Sequence, residues 1–163
     1  MKNQSKQSRR EFLRDSCVLA GSAATAPLSM ATLTHASGSG RLKIALVGCG
    51  GRGTGAASDC MRVGKHVQLV AVADVFEDKA RQSLKFLHEV CGHGGQISVP
   101  EERVFSGFDA YKDVLACDVD LVLMCTPPAF RPVHYRATTE AGKHAFLEKP
   151  VCVDAPGYRL VME

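Results

Sequence analysis

The sequence lacks three features that would each indicate a particular kind of protein. No two of its seven cysteines form a C-x-x-C pair, and most lie among apolar residues, so they are predicted to be small buried side chains rather than metal ligands. The net charge is only +3, and the lysines and arginines of residues 1–36 outnumber the acidic residues there by the same amount. The remainder is nearly neutral and gives no electrostatic support for nucleic-acid binding. The longest apolar stretch near the N-terminus is too short and too polar to span a membrane comfortably.

The first 36 residues have the features of an export signal. Residues 8–14 read S-R-R-E-F-L-R, which closely resembles the twin-arginine signal, and a moderately apolar stretch over 17–30 follows. Thr34-His35-Ala36 then offers small residues at the positions that a signal peptidase reads. We expect a signal peptide at 1–36, a linker at 37–40, and a protein that is periplasmic or otherwise exported by the twin-arginine machinery. An amphipathic helix that happens to contain two arginines is the alternative.

The remaining chain, residues 41–163, alternates between short apolar runs and segments of helical periodicity. The runs predict parallel strands buried on both faces, at 42–47, 67–73, 104–105, 121–125 and 143–147. Helices are predicted between them, at 54–63, 77–90, 110–115 after an Asp109 cap, 133–141, and beyond an Asp154 cap. This order indicates an α/β fold with a doubly wound parallel sheet, in which residues 91–100 form an inserted loop.

The first predicted strand leads directly into a G-x-G-x-x-G motif formed by Gly48, Gly50 and Gly53. Gly48 permits a tight turn, Gly50 has no side chain to block a pyrophosphate, and Gly53 lets the helix pack close to the sheet. The free N–H groups and the positive dipole end of that helix favour a bound phosphate. The residues predicted to bind it are Gly48, Cys49, Gly50, Gly51, Arg52 and Gly53. A glycine-rich turn without a ligand is the alternative.

Asp74 ends the second predicted strand, where an acidic residue accepts hydrogen bonds from the ribose hydroxyls of adenosine. Its charge would repel a 2′-phosphate, so NAD is predicted as the cofactor and NADP is less favoured. Arg52 complicates this choice because it is close in sequence to the same site. An aspartate after a strand is also commonly a helix cap, which is the alternative interpretation of Asp74.

Lys149 lies in Glu148-Lys149-Pro150, directly after the strand predicted at 143–147. The carboxyl ends of parallel strands share one edge of a sheet, so Lys149 is expected near Asp74 and Thr126. A lysine that is partly desolvated beside a cationic nicotinamide has a lowered pKa, and it can share a proton with a substrate hydroxyl. A solvated surface lysine is the alternative.

Together these motifs resemble the glucose–fructose oxidoreductase / inositol dehydrogenase / MocA (Gfo/Idh/MocA) family over about residues 41–160, including A-G-K-H at 141–144 ahead of E-K-P at 148–150. The resemblance implies that Lys149 is the catalytic-site lysine, that Thr126 and Pro127 line the nucleotide pocket, and that Glu148 helps to hold the nicotinamide end. Many members have Asn and His where this chain has Pro128 and Arg131, so those two roles are not transferred.

The resemblance also implies a second, C-terminal α+β domain that binds the substrate, and we expect the chain to stop before it. The predicted function of the whole protein is an NAD-dependent oxidoreductase of a sugar, polyol or related hydroxy compound, without a metal and as a homo-oligomer. The 163-residue chain alone is expected to be inactive. Two alternatives stay open: a glycosidase that recycles its NAD, because some relatives share the G-G-R-G turn found at 50–53, and a non-catalytic nucleotide-binding fragment.

Overall fold

Five parallel strands form one sheet in the computed structural model, which describes residues 40–163. The strands are β1 (Leu42–Val47), β2 (Val67–Asp74), β3 (Val104–Ser106), β4 (Leu121–Met124) and β5 (His144–Leu147). The helices are α1 (Gly51–Arg62), α2 (Glu77–Cys91), α3 (Ala110–Ala116), α4 (Arg131–Glu140) and α5 (Ala155–Met162). The strand order is β3-β2-β1-β4-β5, so the chain adds β2 and β3 on one side of β1 and then adds β4 and β5 on the other. This order confirms the predicted doubly wound α/β fold.

Each face of the sheet packs against its own apolar layer. Ile44 and Leu46 of β1 belong to a core cluster with residues of α1 and α2, whereas Ala45 and Val47 belong to a second cluster with residues of α3. All four side chains are at most 4% exposed. Because successive side chains of a strand point to opposite faces, this alternation buries β1 on both sides, as its continuous apolar run predicts.

Two helices begin earlier than their sequence patterns predict. Helix α1 starts at Gly51 rather than at 54, because its glycine-rich first turn has low intrinsic helix propensity and hides the start. Helix α4 starts at Arg131 rather than at 133, with Pro132 in its first turn. Proline is well suited to that place, since its fixed φ is helical and its missing N–H would have no helical partner there.

The segment predicted as a loop at 91–100 is partly ordered secondary structure, so that prediction is wrong in part. A 3-10 turn covers Gly92–Gly94, and the next residues run beside β2. The Leu69 N–H donates to the Gln96 carbonyl over 2.7 Å, and the Ser98 N–H donates to the Leu69 carbonyl over 2.8 Å. The segment therefore pairs with the amino-terminal part of β2, on the same side of β2 as β3.

Of the two predicted aspartate caps, only one forms the expected hydrogen bond. The Asp154 Oδ1 atom accepts from the Gly157 N–H over 2.7 Å and caps α5. Asp109 stands at the N-cap position of α3, but its carboxylate accepts no capping hydrogen bond and pairs instead with Lys112 at 2.7 Å. The competing ion pair with a residue one turn later explains the difference.

The described cysteines are all free, and Cys49 alone among them is buried. The prediction of buried thiols is therefore wrong for the other five, which are half-buried because they lie near the ends of strands and helices, at the margin of the core. Cys17 and the whole predicted export signal at 1–36 lie outside the described residues. Along residues 40–163, no helix has both the length and the apolar character needed to cross a membrane.

Candidate functional site

The turn after β1 is shaped by two glycines that no other residue could replace without a shift of backbone. Gly48 has a φ of 96°, and a Cβ there would lie 2.6 Å from the Thr126 backbone nitrogen on β4's following loop. A Cβ on Gly53 would collide with the Gly48 carbonyl oxygen. The tight turn and the close approach of α1 to it are thus the reasons for these two glycines, as the motif predicts.

The amino end of α1 is open. Gly50 occupies the N-cap position without a side chain, and an added Cβ there would meet no atom within 4 Å. The Thr54 N–H donates to the Gly50 carbonyl over 2.9 Å, whereas the amides of residues 51–53 have no acceptor among residues 40–163. The first turn also contains no acidic residue. Unpaired amides and a positive helix end, with space before them, form a site suited to an anionic phosphate.

Asp74 is held against the turn by backbone hydrogen bonds. Its Oδ2 atom accepts from the Cys49 N–H over 2.7 Å, and its Oδ1 atom accepts from the Phe76 N–H over 3.0 Å. The N-cap position of α2 is occupied by Phe76, so Asp74 is not the helix cap that the alternative interpretation assumed. Each carboxylate oxygen has two lone-pair sites, so both retain capacity for further donors such as ribose hydroxyls.

An ion pair links the turn to the E-K-P segment 96 residues later in the chain. The Arg52 Nε–H donates to the Glu148 Oε1 atom over 2.6 Å, and the Lys149 N–H donates to Oε2 over 3.1 Å. The side chain of Glu148 is 5% exposed. Its pKa is lowered by the hydrogen bond from Arg52, against the opposing effect of burial, so the carboxylate is ionised at neutral pH.

Lys149 lies at the same edge of the sheet, in an exposed position after β5. Strand β5 pairs with β4 in a register that sets Leu147 beside Met124, so the residues that follow these strands leave the sheet side by side. Lys149 is not among the residues that line the cleft described next. The structure therefore brings Lys149 to the predicted edge, beside Glu148 and outside the cleft wall.

A cleft of about 550 Å³ opens at the carboxyl ends of the strands. Its volume is within the range typical of small-molecule sites. The predicted residues in its wall are Gly48, Gly50, Asp74, Thr126 and Pro127. Aromatic side chains that the sequence did not single out for this site are also in the wall: Phe76, Phe108, Tyr111 and Phe130. The cleft is thus polar at the turn and largely apolar opposite it.

Two functional candidates in the cleft were missed by sequence reasoning. His134 lies within the helix predicted at 133–141, where the sequence gives it no role at the site, but its Nδ1 atom lies 3.3 Å from the Thr126 hydroxyl, and its ring stacks on Tyr111 with centroids 4.2 Å apart. Burial lowers the pKa of His134, so the ring is neutral at pH 7. Arg131 is 5% exposed and also lines the cleft. The only feature of the sequence that could have indicated this place for Arg131 is its position beside Pro132, at the start of the helix that follows a strand.

The two thiols nearest the turn are not nucleophiles. Burial raises the pKa of the Cys49 thiol to about 12, with a further contribution from the negative charge of Asp74. Burial and the charge of Glu148 raise the pKa of Cys125 to about 11. A thiol reacts as its thiolate, so both side chains serve as small packing groups at neutral pH.

Known proteins resemble the part of the chain that forms this sheet and its site. Residues 42–159 match the profile of the Gfo/Idh/MocA group, described as an oxidoreductase family with an NAD-binding Rossmann fold. Inositol 2-dehydrogenase of Cereibacter sphaeroides (strain ATCC 17029) is 31% identical over 122 residues, which cover 75% of this chain and 32% of the relative. A Glycosyl hydrolase family 109 protein of Solibacter usitatus is 29% identical over 151 residues, 89% of this chain and 33% of that protein.

Among solved structures, scyllo-inositol dehydrogenase of Lactobacillus casei with bound NAD(H) and scyllo-inositol superposes with a TM-score of 0.57. It is 24% identical to this chain and covers 74% of it, and the chain covers 32% of that structure. The similarity at this level concerns the fold. The chain spans about a third of the length of the relatives that it matches.

Proposed function

Because the chain belongs to the Gfo/Idh/MocA oxidoreductase family, whose nucleotide-binding domain has an NAD-binding Rossmann fold, we propose that it is the cofactor-binding part of an NAD-dependent oxidoreductase of a sugar or polyol. One observation carries the proposal: the Arg52–Glu148 pair and the Cys49–Asp74 hydrogen bond unite the turn, the ribose-binding acid and the E-K-P segment at one edge of the sheet. A relative named inositol 2-dehydrogenase supports a cyclic polyol as the class of substrate.

The described residues fit a dinucleotide. The open amides of α1 would hold its pyrophosphate, since Gly50 leaves the approach free and no acidic side chain stands in the first turn. Asp74 would accept hydrogen bonds from the adenosine ribose. The aromatic wall of the cleft and Thr126-Pro127 would enclose the rest of the nucleotide. Glu148 would act near the nicotinamide end through the arginine that it orients.

Asp74 supports NAD over NADP. Its carboxylate is fixed by two backbone N–H groups, so it cannot easily turn away from a ligand bound at the end of β2. A 2′-phosphate in that place would bring like charges together, which is unfavourable near a protein surface. Arg52, which could have offset this repulsion, is instead committed to Glu148.

Lys149 is the proposed proton-transfer residue. Bound nicotinamide supplies the hydride acceptor for the oxidation of a hydroxyl-bearing carbon. The Lys149 amine would take the proton from that hydroxyl, and its exposed position after β5 leaves it accessible to a substrate from outside the sheet edge. Substrate contacts and assembly into a homo-oligomer are expected from a longer protein, since this chain covers only 32% of the length of its inositol 2-dehydrogenase relative.

We also propose that the protein is exported through the twin-arginine route. The support is the S-R-R-E-F-L-R segment at 8–14 with the apolar stretch and small residues that follow. That route carries folded proteins, so a bound dinucleotide could be acquired in the cytoplasm before export.

The direct test of cofactor binding is calorimetric titration of the purified protein with NAD⁺ and, separately, NADP⁺. We expect NAD⁺ to bind more tightly by at least about tenfold, and Asp74→Ala to remove that difference, because NAD⁺ loses its ribose hydrogen bonds and NADP⁺ is relieved of charge repulsion. Asp78→Ala, an acidic residue in the first turn of α2, serves as the matched control. Failure of both nucleotides to bind would refute the proposed function.

A second candidate, glycoside cleavage with a recycled NAD, is favoured by the Solibacter relative, which matches 89% of this chain. The products distinguish the candidates. Incubation of the full-length protein with NAD⁺ and myo-inositol gives net NADH if the first proposal is right, whereas release of p-nitrophenol from a p-nitrophenyl glycoside without net NADH supports the second. Nucleotide binding with neither product is the result expected of a non-catalytic fragment.

A further inference from the structure

Arg131 is a buried cation whose partners are backbone carbonyls. It begins α4 and is 5% exposed. A guanidinium cannot lose its proton at any ordinary pH, so burial requires strong hydrogen-bond acceptors around it. The described acidic side chains form no ion pair with it. Its hydrogen-bond acceptors are main-chain carbonyls, and the nearby Glu148 carboxylate adds a favourable charge interaction without a direct contact.

Those acceptors belong to two different loops. The Nε–H donates to the Thr126 carbonyl over 2.7 Å, in the loop after β4. The Nη1 group donates to the carbonyls of Glu148 and Pro150, in the loop after β5. Since β4 and β5 are neighbouring parallel strands, one guanidinium connects the two loops that leave the sheet at their carboxyl ends.

The two carbonyls bound by Nη1 flank Lys149 in sequence. Arg131 thus holds the peptide group that precedes Lys149 and the carbonyl of the residue that follows it, which restricts the movement of the Lys149 Cα. Thr126, the third residue held by Arg131, lines the cleft. The planar fork of the guanidinium imposes fixed directions on its hydrogen bonds, which a flexible ammonium does not. Arg131 thus sets the position of Lys149 relative to the wall of the cleft.

We propose that Arg131 is a positioning residue, which fixes the backbone of Lys149 relative to Thr126 and so places the lysine amine at the nicotinamide end of the site. This inference rests on the proposed function. In this role Arg131 acts on the reaction through the main chain of Lys149 rather than through a contact with the reacting atoms. If Arg131 only stabilised the fold, its replacement would lower stability and would leave the response of Lys149 to NAD⁺ unchanged.

The test follows the Lys149 amine by NMR after reductive ¹³C-methylation of lysines, with its signal identified by its loss in Lys149→Arg. In the wild type we expect NAD⁺ to shift this signal and its titration midpoint. In Arg131→Lys, NAD⁺ affinity should change by less than about threefold, while the Lys149 response falls below half. The matched control is Arg136→Lys on the same helix, where Arg136 is exposed and paired with Glu140. It should behave as the wild type.

A full Lys149 response in Arg131→Lys, with NAD⁺ still bound, would overturn the positioning role and leave the proposed function intact. Absence of NAD⁺ binding by the wild type would overturn both. A measurement without any substitution guards against misfolding of the variant. Separately resolved, slowly exchanging guanidinium N–H signals of Arg131 in the wild type support its fixed bonds to the carbonyls, and rotationally averaged signals would refute them.

Discussion

At the scale of single residues, the turn after β1 depends on what its glycines lack. Gly48 and Gly53 are required by the protein itself, because a Cβ at either position would strike backbone atoms. Gly50 differs, since a Cβ there would meet nothing in the protein. The fold therefore does not require glycine at position 50. Because this turn leads into an open helix end, the missing side chain of Gly50 leaves room for a ligand.

This difference predicts the effect of Gly50→Ala. The added methyl group should leave the melting temperature within about 2 °C of wild type or raise it slightly, because it meets no atom and lowers the entropy of the unfolded chain. NAD⁺ affinity should fall by at least about tenfold, because the methyl group occupies the approach to the pyrophosphate. Gly55→Ala in the same helix, also free of neighbours, should leave affinity unchanged. Equal affinities in both variants would contradict the assignment of Gly50.

The buried ring of His134 predicts a pH dependence of stability. Its pKa is lowered in the folded protein, so the unfolded chain takes up the proton first as the pH falls. The contribution of the neutral ring is therefore present above the unfolded value of about 6.5 and is lost as the pH falls from there to the folded pKa. His134→Gln should melt with a weaker dependence on pH between 7.5 and 5.5 than wild type, as measured by calorimetry. Parallel profiles would count against the buried neutral ring.

At the scale of elements, the helices begin by two different means. Helix α1 starts at an uncapped glycine and leaves its amides open, whereas α5 starts at Asp154, which satisfies the Gly157 N–H. Satisfied amides stabilise a helix, and open amides bind a ligand. Helices α2, α3 and α4 also lack a side-chain cap, so what distinguishes α1 is the glycine at its N-cap position, which leaves the approach to its amides free.

The two aspartates at N-cap positions form a matched pair for a stability test. Asp154→Ala should lower the free energy of unfolding by about 1 kcal/mol, because it leaves the Gly157 N–H without its acceptor. Asp109→Ala should cost less than half of that, because this carboxylate makes only an exposed ion pair with Lys112. Urea denaturation followed by circular dichroism gives both values. A larger loss for Asp109→Ala would mean that its cap forms in solution.

At the scale of the whole molecule, the doubly wound order brings distant segments to one edge. The Arg52–Glu148 bond spans 96 residues, and Asp74 reaches Cys49 across 25. Both contacts exist because β1 lies in the middle of the sheet, with β2 on one side and β4, followed by β5, on the other. The site lies where the strand order reverses, which is the place where open α/β sheets bind their ligands.

The N-terminal tail, which lies outside the described residues, carries a prediction about the whole protein. Replacement of Arg9 and Arg10 by lysine should retain the protein in the cytoplasm of a host with a twin-arginine system, because that machinery reads the arginine pair. Arg14→Lys, outside the pair, should be exported as the wild type is. Immunoblots of periplasmic and cytoplasmic fractions measure the distribution. Export that is unaffected by loss of the pair would refute the proposed route.

Much of the fold and some of the site could be predicted because the signals are local. The apolar runs of β1, β2 and β4 identify buried strands wherever in the sheet they lie, and the glycine spacing reports a steric requirement within six residues. The start of α1 was misplaced because the same glycines that open the site have low helix propensity. Functional need and local preference oppose each other at that turn.

Sequence alone determined the parallel α/β architecture, the turn at 48–53 and the family to which the chain belongs, because periodicity and motif spacing are properties of neighbouring residues. Tertiary structure alone decided that Arg52 pairs with Glu148, that His134 meets Thr126, and that Arg131 binds the carbonyls around Lys149. Each of these contacts depends on which strand ends become neighbours and on which polar groups are left buried without water. Both are set only when the strands have assembled in their order.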